Sequence, residues 1–231
     1  MSKPEIILEF DRMRSAPLPG QAPMGEVTLQ LRAGELLMVQ VEPGNEQLPL
    51  TDAALGLTPP ERGRTLFMGT DWQDAAPDTA LEMRARIGRV FDHSGWISNL
   101  DVIENITLAQ RHHTRRPIAE INAEAQQMAR QFGLAGVPAG RPANVPRRDL
   151  RRAEWARAWM GSPALVCLER PGQGVANEHI SSLADAVHRL CERGGAALWI
   201  TDDAREIQAV GKGTNIRRRA MHGPVLTEDS L

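Results

Sequence analysis

Gly34–Leu57 reads GELLMVQVEPGNEQLPLTDAALGL, and the fold of the chain turns on this stretch. Leu36–Val41 alternates and clusters apolar residues as a buried strand does, Pro43-Gly44-Asn45 breaks it, and Asp52–Leu57 reads as the start of a helix ending at Gly56. Strand, turn and helix in that order aim backbone N–H groups and a helix N-terminus at a phosphate. A working loop, G-x-x-x-x-G-K-[ST], adds glycines that let the backbone curl, a lysine for the terminal phosphates and a hydroxyl for Mg²⁺. Here Glu42 and Gly44 stand in the turn, and the slots aligned on strand and helix hold Val41, Glu46, Gln47, Leu48 and Pro49. A carboxylate takes the place of phosphate charge, no cation opposes it, and Pro49 removes a donor. The only lysines of the chain are Lys3 and Lys212, so no shift of register restores the motif. The frame of a nucleotide site is present without its working side chains.

Composition bounds the rest. A chain of 231 residues can bury a sizeable core. With 27 basic and 29 acidic residues the net charge is −2, which gives no bulk attraction to nucleic acid or anionic lipid. The apolar runs are strand-sized and the start MSKPEII lacks a hydrophobic signal core, so the expectation is a soluble, cytoplasmic protein that neither spans a membrane nor is secreted. Cys167 lies in an apolar run and Cys191 in a helical pattern; without a CxxC they read as buried free thiols. The histidines lack metal-ligand spacing, and the adjacent His112 and His113 point about 100° apart on a helix, so no metal site is expected.

Along the chain, Ile6–Phe10 and Glu26–Leu31 read as strands that pair antiparallel, followed after the loop frame by a strand at Arg64–Met68 and a helix at Thr79–Arg86. Asn99-Leu100-Asp101 opens a helix through Leu108, and Pro117 opens a longer one. In that second helix Ile118, Ile121, Ala125, Met128 and Phe132 form a core-facing stripe that Gly133 stops. Arg147–Met160 is a further helix. The last third alternates: strand Ala164–Leu168, helix Glu178–Cys191, strand Ala196–Ile200, and a helix after Thr201. Helical crossovers between short apolar strands imply parallel pairing. The expected fold class is α/β. An N-terminal antiparallel β part and a mostly parallel core sheet (residues 1–90 and 163–231) accept an inserted helical part, residues 91–162.

Several strings resemble the ATP-binding cassette, or nucleotide-binding domain, of ABC transporters. GELLMVQV resembles the strand before that family's P-loop, and RTLFMGTDW the next strand and turn. ARIGRVFDHSGWISNLDVIENITL resembles its Q-loop and following helix, and RPANVPRRDLRRAEWARAWMGSPALVCLERP its signature motif, signature helix and Walker B strand. The resemblance implies a P-loop NTPase-like fold, ATP with Mg²⁺ as cofactors and coupling to a membrane permease; the Asp92–Leu108 string is nearest importer and phospholipid-transport cassettes. It also implies departures. Asp92 matches the Q-loop glutamine, and Val145-Pro146-Arg147-Arg148-Asp149 matches the signature LSGGQ. Glu169 matches the Mg²⁺-organising aspartate and Arg170 the glutamate that polarises water. Asp202 matches the switch histidine, Ala176 the D-loop aspartate, and Pro17 falls near the aromatic that stacks on adenine. An arginine cannot act as the base, because it does not deprotonate.

Three functional expectations follow. In the first, the chain has no catalytic residues and at most weak ATP·Mg²⁺ binding. It docks on an integral-membrane permease, on a competent cassette subunit or on a second copy of itself, as scaffold or regulator at the cytoplasmic face of the membrane. Docking would use His93, Trp96, Ile97 and Leu100, with Trp96 as interface anchor; the alternative for Trp96 is a cap on the helical part. In the second, Arg147, Arg148, Arg151, Arg152 and Arg157 with Trp155 hold phosphate of nucleic acid or lipid. Against this, Asp149 and Glu154 can pair with those arginines, Trp155 and Trp159 can pack inward, and nucleic acid is not an expected partner. In the third, a divergent site binds ATP with little turnover, using Glu169, Asn45 and one of Arg32, Arg62 and Arg64.

Overall fold

The computed structural model describes residues 4–15, 24–42, 49–93, 95–211, 215–222 and 225–228. β1 (Ile6–Ser15) and β2 (Val27–Arg32) pair antiparallel, and β1 continues well past Phe10. β3 (Leu36–Gln40) precedes the loop frame, and α1 (Leu50–Ala54) follows it. This helix starts before Asp52 and ends sooner than expected, because Pro49 supplies its cap with φ fixed at −72° and Gly56 already has φ +60°. Next come β4 (Pro60–Phe67), β5 (Thr70–Asp71), α2 (Pro77–Arg84) and β6 (Ile87–Val90).

Between β6 and its neighbour β7 (Leu165–Glu169) the regular structure is helical: α3 (Val102–His113), α4 (Ile118–Gln131), a 3₁₀ turn at Pro142–Asn144 and α5 (Arg147–Trp159). At the start of α3 the Glu104 carboxylate accepts from the Asp101 N–H at 2.9 Å. The helix outruns the expected end at Leu108, since its last turn carries Arg111, His112 and His113, which suit a helix C-terminus. α6 (Asn177–Glu192), β8 (Ala196–Thr201), α7 (Ala204–Val210), β9 (Ile216–His222) and β10 (Val225–Glu228) complete the chain.

Among the described residues the strands form two sheets, ordered β2-β1-β4-β5 and β10-β9-β3-β8-β7-β6. The larger is parallel except for the β9–β10 hairpin. Its central strands are apolar on both faces because both faces are covered. Successive side chains alternate between two cores. Leu36, Met38, Val166, Leu168, Ala197 and Trp199 join the helical side, with Trp155 and Phe132. Leu37, Val39, Leu165, Cys167, Leu198 and Ile200 join the antiparallel sheet, with Phe10 and Leu31. A one-residue slip of any central strand would exchange these sets. Burial pushes the Cys167 thiol up to about 12; Cys191 is only half-buried, with its thiol pushed up to about 11.

Helix α5 presses directly on β6. A Cβ added at Gly88 would lie 1.9 Å from the Ala158 carbonyl oxygen, backbone that cannot rotate away. Gly88→Ala is therefore expected to destabilise the fold by about 2–3 kcal/mol, the scale of overpacking, and to lower Tm by several degrees in a thermal melt. An unchanged melt would show that α5 and β6 are not in tight register.

Candidate functional site

In the parallel sheet, Gln40 of β3 pairs with Thr201 of β8, Glu169 of β7 with Ile200, and Val90 of β6 with Leu168. The C-terminal ends of four strands thus converge on one edge, the place where open α/β sheets gather their ligand-binding side chains. Of the sequence-predicted positions, Asp92, Glu169, Arg170 and Asp202 meet here. Glu42, at the end of β3, is exposed, and Pro49 is buried at the start of α1. Gly44, Asn45, Glu46, Gln47 and Leu48 lie outside the described residues, as does Pro17.

Two arginines organise this edge. Arg170 follows β7 with φ +42°, a conformation bulky side chains rarely adopt. Its N–H donates to the Ile200 carbonyl at 2.8 Å. Its guanidinium donates to both oxygens of Asp92, each at 2.6 Å, and lies 3.9 Å from Asp202. Arg89, on β6, donates from Nε and Nη2 to Glu169 at 3.1 and 3.2 Å and from Nη1 to Asp52 at 2.5 Å. The Thr51 hydroxyl donates to Glu169 and accepts from Arg89 at 3.3 Å. The guanidinium carbon sits 4.5 Å from the centre of the Phe91 ring. Burial works to lower the Arg89 pKa, but Glu169 and Asp52 outweigh it and the pKa is raised.

Arg89, Thr51 and Asp52 were not among the residues singled out from sequence. The signal was a lone charge in an otherwise apolar buried strand, which has to find a carboxylate.

A third arginine ties helix α5 to the same edge. Arg151 donates to the carbonyls of Phe91 at 2.5 Å, Arg170 at 2.7 Å and Glu169 at 3.2 Å, and to the Glu154 carboxylate at 2.7 Å. Arg152 donates to the Gly133 carbonyl at 2.7 Å and to Asp149 at 2.6 Å. The expected arginine surface for phosphate is corrected accordingly: Arg151 and Arg152 are buried in internal pairs, and Trp155 and Trp159 are buried against Phe132. Arg147 and Arg148 remain exposed, after half-buried Val145 and the cap residue Pro146. Arg32 donates to Gln30 and to the Pro4 carbonyl and Arg64 pairs with Asp71 at 3.6 Å, while Arg62 is exposed on β4.

Beside this edge runs a cleft of about 750 Å³, lined among others by Asp92, His93, Trp96, Pro142, Arg147 and Leu150. His93 is exposed and 3.6 Å from Asp92. Trp96 is not a free aromatic: it is half-buried, packs on the helical core and carries the Arg157 guanidinium 4.9 Å from its ring centre. Arg157 donates to the Gly95 carbonyl at 2.7 Å, and burial lowers its pKa. Ile97 is the exposed apolar side chain, at 43 %, with Leu100 half-buried nearby in sequence. The backbone of Ile97 is held by Asn105, which accepts from its N–H at 2.8 Å and donates to its carbonyl at 3.1 Å.

Behind Arg170, Glu206 of α7 is fully buried and accepts from the Gly172 N–H at 2.6 Å and the Trp199 indole at 2.7 Å. Burial raises its pKa above the usual 4.5, against the pull of those hydrogen bonds. No group of three or more metal-ligating side chains is found among the described residues.

This architecture, strand ends gathered beside β3 and the helix α1 that follows it in sequence, with helices inserted between two paired strands, is that of an α/β cassette of the P-loop NTPase type. No protein-family model matches the chain. It is similar to the glutamate/aspartate import ATP-binding protein GltL of Escherichia coli K12, 26 % identical over 178 residues that cover 77 % of this chain and 73 % of GltL. It is also similar to the intermembrane phospholipid transport system ATP-binding protein MlaF of Haemophilus influenzae, 24 % identical over 185 residues, 80 % of this chain and 70 % of MlaF. In structure it superposes on the ATP-binding cassette MJ0796, solved as a dimer in a post-hydrolysis state bound to ADP and Pi. The TM-score is 0.83 at 16 % identity, over 95 % of this chain and 96 % of that one. The chain's homologues are ATP-binding proteins of ABC transporters, and its fold is that of their ATP-binding cassettes.

Glu206 generates a pH prediction. Its folded pKa lies above the unfolded value of 4.5, so the folded state holds the proton longer as pH rises. Its contribution to stability is full below 4.5 and is lost as pH climbs through the folded pKa. Urea unfolding across this range is expected to show the wild type losing stability relative to Glu206→Gln with rising pH. A pH-independent difference would mean that Glu206 titrates normally.

Proposed function

We propose that this chain is a non-hydrolysing cassette subunit of an ABC transport system, docked on a membrane permease and acting as scaffold or regulator. The observation that carries the reading is the Arg170–Asp92 pair. Where the family resemblance implies a carboxylate to polarise water and a glutamine to sense the metal, a guanidinium donates to both oxygens of a carboxylate. A guanidinium that stays protonated at any working pH takes up no proton from water. Asp202, at the switch-histidine position, faces the same guanidinium, so the acceptors at this edge are already engaged. ATP·Mg²⁺ does not fit these residues. A second cation at Glu169 would have to displace Arg89, and no lysine lies among the described residues to meet terminal phosphates.

The transport half rests on the relatives, whose names describe import and phospholipid transport, on the cleft lined by Trp96 and Ser98, and on the exposed Ile97 between them in sequence. No helix among the described residues is long and apolar enough to cross a membrane. On this reading the chain reaches the cytoplasmic face through its partner, with a competent cassette or a second copy of itself as further partners.

Two measurements test the two halves. Purified protein with ATP and Mg²⁺ is expected to release phosphate at background rate, and turnover near the ~10 s⁻¹ common for enzymes would overturn the silent half. A tagged pull-down from gently solubilised membranes is expected to recover a multispanning protein equally with and without ATP. Ile97→Asp should cut that recovery at least about tenfold, the effect of losing ~1.4 kcal/mol of interface energy. An empty pull-down, or full recovery with the variant, would remove the docking half.

A further inference from the structure

Asp52 and Glu169 aim two carboxylates, and Thr51 a hydroxyl, at one point between α1 and β7, and the Arg89 guanidinium occupies that point. Oxygen donors of this kind, two carboxylates and a neutral oxygen with one side open to water, are what Mg²⁺ or Mn²⁺ accepts. Asp52 supplies the open side, being 37 % exposed, whereas the Arg89 side chain is only 12 % exposed. We propose that Arg89 is a resident counter-ion, a covalently tethered cation that holds α1, β6 and β7 together as a divalent ion would and makes this junction independent of metal. The proposal deepens the non-hydrolysing reading, on which it rests, by naming the side chain that makes a metal superfluous.

A guanidinium meets all of these groups at once. Its planar fork reaches both Glu169 oxygens and Asp52 at once, while its flat face lies on the Phe91 ring. The raised pKa keeps it charged despite burial. One positive charge between two carboxylates leaves the cluster short of neutral. Removing Arg89 would therefore leave two carboxylates facing each other, which a proton or a divalent ion would relieve.

The experiment follows thermal unfolding of the wild type, Arg89→Gln, Arg89→Lys and the double variant Arg89→Gln/Glu169→Gln, in EDTA and in graded Mn²⁺. The wild type and Arg89→Lys, each with a tethered cation, are expected not to respond. Arg89→Gln is expected to melt lower in EDTA and to regain about 5–10 °C at a hundredfold excess of Mn²⁺ over its Kd. The double variant should lose that gain. If Arg89→Gln does not fold in EDTA, the yield of refolded protein with and without Mn²⁺ reads the same question. A wild type that shifts with Mn²⁺ as much as Arg89→Gln, or an Arg89→Gln that gains neither Tm nor yield, would overturn the proposal. Wild-type phosphate release is scored separately. Turnover there would sink the silent-subunit reading, whereas a flat Arg89→Gln response with no turnover would sink the counter-ion alone.

Discussion

An arginine buried on a strand has to be met by carboxylates, and the strand-end surface of this protein is arranged around that demand. Arg89 gathers Asp52 and Glu169 and so joins α1, β6 and β7. Arg170 gathers Asp92, with Asp202 nearby, and joins the ends of β6, β7 and β8. Arg151 takes three backbone carbonyls and Glu154, and fastens α5 to the same place. Desolvating such charges costs about as much as their pairing returns, so the clusters add little net stability while intact. Breaking one partner leaves a buried charge behind, at a cost of roughly 3–5 kcal/mol. The arrangement is therefore better understood as a constraint on geometry than as a source of stability.

That constraint sits on a sheet whose two faces are sealed differently. The helical face is filled by aromatic packing, with Trp155 and Trp159 both edge-on to Phe132 and the Trp155 indole donating to the Pro171 carbonyl at 3.1 Å. The last contact anchors the loop after Arg170 to helix α5, so packing and electrostatics hold the same segment from two sides. Toward the cleft the packing thins. Trp96 lies half-buried under Arg157 while Ile97 faces outward, a boundary between core and an open surface rimmed by polar groups. Such a boundary suits a partner that adds to the core, which is how the proposed docking surface connects to the fold.

Much of this was legible in the chain. Apolar runs at Leu36–Val41, Ala164–Leu168 and Ala196–Ile200 imply a doubly covered parallel sheet, and β3, β7 and β8 are inner strands of it. The stripe from Ile118 to Phe132 implies one buried helix face, and Ile121, Ala125 and Phe132 are buried with Met128 half-buried, but Ile118, at the first turn where the helix leaves the core, is exposed. Element ends were less legible. α1 and α3 differ from expectation because a proline cap and a basic last turn decide them, effects of one or two residues that periodicity does not register. Legibility was lowest for the arginines. The string RRDLRRAEWAR reads as a basic surface, yet Arg151 and Arg152 turn inward. Arg89 gave no motif at all.

The sequence by itself determined the α/β class, most of the order of strands and helices, though not the short β5 or the β9–β10 hairpin, and the residue identities at the positions that the resemblance matches to a nucleotide site. Those follow from local periodicity and residue identity, which each short stretch carries within itself. Only the tertiary structure decided which charges face one another: Arg89 with Glu169 across 80 positions of chain, and Arg170 with Asp92 across 78. Ion pairing depends on distance in space, and a parallel sheet brings strand ends together through crossovers whose length says nothing about which side chains will meet.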